Sequence, residues 1–302
     1  MQNKYTIFPS QAKICPNCKL QTRSDLPFCE RCKFDLRHGN VRIKSKRGKC
    51  IYCFEIAKLS EEHIFPSWLR KIYKPRYSSS IHTLTRPATY EPDALIHTIQ
   101  YESQNDVYHI SVRNVCTSCN NGWMSNLQTL AKPIVKKLAD GDWFELTVDQ
   151  QQILTRWTVM LAINFQSYGR QLCASAHQRT TLKDGKIPGG WRVFIGSMKD
   201  DSCAGYSFTR PNCALNMQDV DGTALTAVSA FFCIESAAFY TFSASNEHTL
   251  NYARYADLDC DHVKLRQIFP NNDPAGALGF GLRREDLNAI QLRFGPIPEK
   301  HF

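Results

Sequence analysis

The stretch that decides the fold runs over residues 50–73, CIYCFEIAKLSEEHIFPSWLRKIY, and is answered by residues 108–123, YHISVRNVCTSCNNGW. Each carries a C-x-x-C pair, Cys50/Cys53 in the first and Cys116/Cys119 in the second. Thiols at this spacing share one tight turn, the geometry of a zinc knuckle. Between the pairs lies Glu62-His63-Ile64-Phe65-Pro66, and Asn120 directly follows Cys119. Pro66 and Ser67 can open a helix, with Trp68 and Leu69 on its first turn. Residues 108–115 alternate like a strand. Trp123, Leu127, Leu130, Ile134 and Leu138 then recur at helical spacing, a buried face that breaks or restarts at Pro133.

Upstream stand two further pairs, Cys15/Cys18 and Cys29/Cys32, ten residues apart, so eight of the 13 cysteines are paired within the first 120 residues. Residues 1–36 read as a small zinc ribbon, a segment too short to fold without a staple. Cys29/Cys32 and Cys50/Cys53, separated by 17 residues, also have a rubredoxin-like spacing. Spacing alone leaves the pairing of knuckles open. A single C-x-x-C suits a redox pair, and four such pairs do not. A disulfide framework is disfavoured, because the first fourteen residues lack an apolar signal core and an odd cysteine would remain. The eight paired thiols are therefore expected to hold two structural Zn²⁺ ions in a reducing, cytoplasmic compartment. Cys173, Cys203, Cys213, Cys233 and Cys260 have no repeating spacing and read as small buried hydrophobes.

Charge follows the cysteines. Of the 302 residues, the first 140 hold 22 Lys and Arg against 11 Asp and Glu, a net of +11, and the remainder carry a net of −2. The excess peaks at Arg37, Arg42, Lys44, Lys46, Arg47 and Lys49, and again at Arg70, Lys71, Lys74 and Arg76. Basic clusters beside zinc knuckles suit a nucleic acid, whose condensed counterions are released by each neutralised phosphate. Hydrophobic residues make up 43%, so a core is expected. No apolar run approaches the roughly 18 residues of a membrane span, which makes a membrane partner unexpected.

Beyond residue 140 the chain reads as an α+β domain. Thr147 and Gln150 form a capping box ahead of a helix to about Tyr168, with Ile153, Trp157, Leu161 and Phe165 as its apolar stripe. Residues 191–197, 224–245 and 262–269 have strand patterning. No motif here carries chemistry, and a regulatory or oligomerisation role is expected of it. The expected organisation is a ribbon over 1–36, a second module with a basic tether and an insertion over 37–140, and an α+β domain over 141–302.

Two knuckles with Glu62-His63 between them, and Asn120 after the last cysteine ahead of an amphipathic helix, resemble the zinc-binding variant of the HNH endonucleases. The resemblance covers roughly residues 47–135. It implies a ββα-metal module in which Cys50, Cys53, Cys116 and Cys119 hold one structural zinc, leaving Cys15, Cys18, Cys29 and Cys32 to the ribbon. It further implies a divalent-metal-dependent hydrolysis of DNA phosphodiester bonds, with RNA as the alternative polyanion. His63 would be the general base, and Glu62 and Asn120 would hold a catalytic Mg²⁺ or Mn²⁺ through oxygen, with Asn121 as the alternative ligand. Arg42, Lys44, Lys46, Arg47, Lys49, Arg70, Lys71, Lys74 and Arg76 would grip the backbone. Stand-alone HNH proteins with an added domain suggest, by analogy, a restriction or phage-defence effector. The sequence departs from the pattern where relatives have a middle Asn bracing the histidine: that position is Ser111. A degenerate site would leave a non-catalytic zinc-dependent nucleic-acid-binding protein, and knuckles that bind protein would leave an adaptor.

Overall fold

The computed structural model describes residues 12–14, 21–23, 47–73, 80–85, 98–103, 108, 111–168, 172–199, 207–212, 227–244, 265–271, 281–283 and 286. The chain divides into two compact units, Met1–Lys46 and Arg47–Phe302. In the first, β1 (Ala12–Ile14) pairs antiparallel with β2 (Gln21–Arg23). Cys15, Cys18, Cys29 and Cys32, on which the ribbon reading rests, lie outside the described residues.

The second unit is mixed α and β, as the α+β reading expects. Its smaller sheet runs β3 (Arg47–Lys49), β4 (Ile56–His63), β7 (Ser111–Cys116), antiparallel throughout. A short helical turn, α2 (Thr117–Cys119), leads through a wide turn at Asn120–Met124 into α3 (Ser125–Ala139). Between β4 and β7 the insertion carries α1 (Ser67–Ile72), β5 (Ser80–Thr85) and β6 (Thr98–Ser103). Pro66 caps α1 at the position where its missing N–H costs nothing.

After α3 come α4 (Val148–Tyr168) and α5 (Ala176–Lys183), then β8 (Trp191–Met198), β9 (Ser207–Asn212), β10 (Ala227–Ile234), β11 (Ala237–Ala244), β12 (Arg266–Phe269) and β13 (Gly281–Leu282). The larger sheet has the order β12-β8-β11-β10-β9-β5-β6. Its pairs are antiparallel except β5 with β9, and β13 with β8. The expected strand over 224–245 is a hairpin of two, turning at Glu235 and Ser236.

The boundary drawn at residue 140 falls inside a single hydrophobic core, which runs from Cys50 to Ile268. The reason is α4. Its expected apolar stripe is only part of what it buries: Leu154, Val159, Met160, Ala162 and Ile163 are buried with Trp157, Leu161 and Phe165, while Ile153 is only half-buried. A helix apolar on most sides belongs in the centre of a fold. Several of its polar residues are buried too and hold neighbours. Asn164 Oδ1 accepts from Tyr52 Oη at 2.9 Å, and Gln166 Oε1 accepts from the backbone N–H groups of Cys173 and Ala174 at 3.2 and 3.0 Å. The Thr147–Gln150 capping box forms in both directions, at 3.0 and 3.3 Å.

The face of α3 also differs from the expected one. Leu127, Ala131, Ile134, Val135 and Leu138 are buried, Leu130 is 52% exposed, and the helix continues through Pro133 without a break. Pro133 sits on the exposed side. There the loss of one backbone hydrogen bond is met by water rather than by an empty core.

Phe65, two residues beyond His63, ties the smaller sheet to α4 and the larger sheet. Its ring packs edge-on against Tyr108, Phe165 and Phe232, with centroids 5.4, 5.4 and 5.9 Å away. Truncation to Ala is expected to cost about 3–5 kcal/mol, because the surrounding aromatic rings cannot collapse into the space. Urea unfolding of Phe65→Ala beside wild type measures this.

Candidate metal centre and polar site

Cys50, Cys53, Cys116 and Cys119 bring their sulfurs together, all within 4.8 Å of one another, and three of the four residues are buried. Cys53 Sγ and Cys116 Sγ lie 3.6 Å apart. Sulfurs bound tetrahedrally to zinc at about 2.3 Å lie about 3.8 Å apart. The four cysteines thus fit a metal ion such as zinc. This grouping is the one the resemblance implies, and it completes a four-sulfur set without the upstream pairs.

The local backbone builds each half of the cluster. Cys50 N–H donates to Glu55 O and Phe54 N–H to Cys50 O, both at 3.0 Å, closing the first turn. Backbone N–H groups also point at sulfur: Cys116 N–H at Cys50 Sγ and Cys119 N–H at Cys116 Sγ, each 3.4 Å. Such dipoles favour thiolate. Burial pushes the Cys50 thiol up, but the N–H groups of Cys53, Cys116 and Tyr52 outweigh it and bring it to about 7. Burial keeps Cys53 and Cys119 raised. Negative charge cannot spread over four packed sulfurs unaided, whereas a bound divalent ion deprotonates its thiol ligands outright.

Phe54 ends the first knuckle with φ = 64°, a left-handed conformation that a bulky residue rarely adopts. Two cations cover its ring: Arg179 Cζ lies 5.1 Å and Lys49 Nζ 5.5 Å from the centroid. Arg179 also donates through Nε to Ile51 O at 2.7 Å. The knuckle is thereby held to α5, a contact the sequence gives no means of foreseeing. Trp123, expected in the core, packs edge-on against Tyr52 at 5.0 Å.

Beside the sulfurs, Glu62 and Asn120 come together. Glu62 is 4% exposed. Ser60 donates its hydroxyl proton to Val115 O at 3.0 Å, so its oxygen must accept, and Asn120 Nδ2 donates to it at 3.1 Å. The Asn120 side chain also reaches the Glu62 carboxyl, and Gln128 Nε2 donates to Glu62 Oε1 at 3.1 Å. With its amide nitrogen donating to Ser60, Asn120 has Oδ1 to offer an ion. Asn121 is exposed. Burial raises the Glu62 carboxyl to about 7, although the amides of Gln128 and Asn120 pull the other way. Ser60 and Gln128 were not singled out from sequence. The only sequence signals for them are positional, two residues before Glu62 and eight after Asn120.

His63 lies on the other face of β4. Ser60 and Glu62, two apart on β4, both meet Asn120 and so lie on one side, although the pairing with β7 shifts register between them. Glu61, His63, Ser111 and Arg113 share the opposite side. There Ser111 Oγ donates to Glu61 Oε1 at 2.9 Å, and Arg113 Nη2 contacts Glu61 Oε2 at 2.7 Å. Burial raises the Glu61 carboxyl, but Ser111, Arg113 and the charge of His63 lower it below its ordinary value.

Of the expected backbone-gripping residues, Arg47, Lys49, Arg70 and Lys71 are exposed, and Lys58 stands opposite Arg47 across the β3–β4 pair. Arg42, Lys44, Lys46, Lys74 and Arg76 lie outside the described residues. Among the described residues, no helix is long and apolar enough to cross a membrane.

Replacing Cys116 by Ser is expected to release the ion from this cluster and destabilise the second unit, because ion binding and folding are coupled. Elemental analysis with thermal unfolding checks both effects. Glu62 predicts a pH effect. Its folded pKa of about 7 lies above the ordinary 4.5, so the folded state holds the proton more tightly. That stabilisation is full below the ordinary value and is lost as pH rises towards 7. Glu62→Gln should therefore gain on wild type by up to about 3 kcal/mol between acid and neutral pH, then hold that gain. Denaturant unfolding across that range, with no divalent ion but zinc, measures it. No protein-family model, curated protein or solved structure matches this chain, so the site must be read from its own chemistry.

Proposed function

We propose that the chain is a divalent-metal-dependent endonuclease of HNH type, cleaving DNA phosphodiester bonds with His63 as general base. The observation that carries this reading is the placement of Asn120 against Ser60 and Glu62, on the strand that ends at His63. It unites the acid and amide of the motif next to the four-cysteine cluster, on the paired strands β4 and β7 and the turn that leads into α3.

The chemistry asks for such a set. Phosphodiester hydrolysis needs a water deprotonated in line with the leaving oxygen, and a neutral imidazole has a suitable pKa to take its proton. Glu62 and Asn120 Oδ1 are hard oxygen donors of the kind Mg²⁺ or Mn²⁺ takes, and a cation there offsets the burial of a carboxylate. Bound there, such an ion would neutralise the charge growing on the phosphate and leaving oxygen. In-line displacement puts base and ion on opposite sides of phosphorus. Neighbouring strand residues point to opposite faces, so Glu62 and His63 at the end of β4 suit a phosphate straddling that end. The exposed Arg47, Lys49, Arg70 and Lys71 would hold the flanking backbone.

The test is cleavage of supercoiled plasmid in Mg²⁺ and in Mn²⁺ by wild type and His63→Ala, both first shown to retain zinc. Nicking by wild type, reduced about a hundredfold or more in the variant, is expected. Equal cleavage by both moves the base elsewhere. Salt-sensitive DNA binding without cleavage selects the non-catalytic zinc protein instead.

A further inference from the structure

Resting on the reading of His63 as base, we infer that Glu61 is the positioning residue that fixes the His63 imidazole, held in turn by Ser111 and Arg113. A general base is effective only when its ring is aimed, and a carboxylate on one ring nitrogen is the commonest way to fix tautomer and orientation. The HNH pattern leaves this chain without its bracing Asn, since Ser111 occupies that place. Ser111 is nonetheless the residue paired with His63 across the sheet. Its hydroxyl is spent on Glu61 at 2.9 Å, and the Arg113 guanidinium takes the second carboxylate oxygen at 2.7 Å.

The strand geometry gives the arrangement its direction. Glu61 and His63 lie two residues apart on β4, so their side chains leave the same face. The ladder shifts register between Ser60 and Glu62, yet Ser111 and Arg113 of β7 both reach the Glu61 carboxylate, which places them on that face. An exposed ion pair such as Arg113–Glu61 adds little stability, with side chains 35% and 49% exposed. Its larger effect is to restrict the Glu61 rotamers, which is what aiming a neighbouring ring requires. Glu62 cannot serve in the same way, because it faces Gln128 and Asn120 on the other side. The consecutive carboxylates Glu61 and Glu62 thus divide two tasks between the two faces of one strand.

The experiment compares full-length zinc-loaded wild type, Glu61→Gln and, as a control, Glu55→Gln. Steady-state cleavage in Mg²⁺ is expected to show kcat of Glu61→Gln reduced between about tenfold and a hundredfold with KM little changed. Long-range ¹H–¹⁵N spectra of the His63 ring, taken about 1.5 pH units above the ordinary histidine value, supply a readout that needs no activity. One dominant neutral tautomer in wild type and Glu55→Gln, becoming a mixture in Glu61→Gln, is the expected result. An unchanged ring spectrum in Glu61→Gln overturns the placement. An unchanged kcat in an active enzyme overturns its catalytic role. A wild type without cleavage brings down the nuclease reading and the catalytic role with it, while the ring spectrum still decides whether Glu61 fixes His63.

Discussion

Four sulfur atoms must converge for the second unit to keep its shape. The first knuckle sits where the chain enters β4, and the second where β7 passes into α2. The Cys116 N–H to Cys50 Sγ contact joins positions 66 residues apart. Closing that span costs chain entropy, and a metal held there by four thiolates would return about 10 kcal/mol or more. With the knuckles joined, Leu59 pairs with Cys116 and Ser60 with Val115, the ladder then shifts register before Glu62 and His63, and the helix must start beside the strand that carries them. The polar site is therefore downstream of the cluster in the physical sense. Its residues meet because the sulfurs do.

The second support is α4. It receives the first knuckle through Tyr52 and Asn164, the end of β4 through Phe65 and Phe165, and the larger sheet through Trp157, Phe232 and Phe239. This is why residues 141 onward are not a separable appendage to the site. The later strands and α5 form part of the wall on which the knuckle and the strand end rest, with Arg179 reaching back to Ile51. Disturbance in that region would be felt at β4 through packing, since a close-packed interior transmits strain.

Much of the local structure was legible. The C-x-x-C turns at Cys50–Cys53 and Cys116–Cys119, the capping box at Thr147 and the helix opened by Pro66 depend on residues within a few positions of one another, and each forms as its pattern requires. Glu62 and Asn120, named from the motif, also come together, whereas His63 lies on the other face of β4. The apolar pattern failed where burial depends on partners far along the chain. Leu130 fits the helical period of Leu127 and Ile134, yet it faces outward because α4 covers the neighbouring side of α3.

What the sequence by itself determined is therefore the chemistry on offer: eight thiols in pairs, an acid beside a histidine, an asparagine after the last knuckle, and a basic first half. Which four described sulfurs gather, how deeply Glu62 is buried, and which side of β4 each carboxylate occupies were decided only in three dimensions. Ser60, Gln128, Glu61 and Arg113 acquire their parts in the same way. The physical reason is range. Turn and cap geometry is settled by neighbours in the chain, whereas desolvation and hydrogen-bond partnership are settled by whatever the fold brings across the gap.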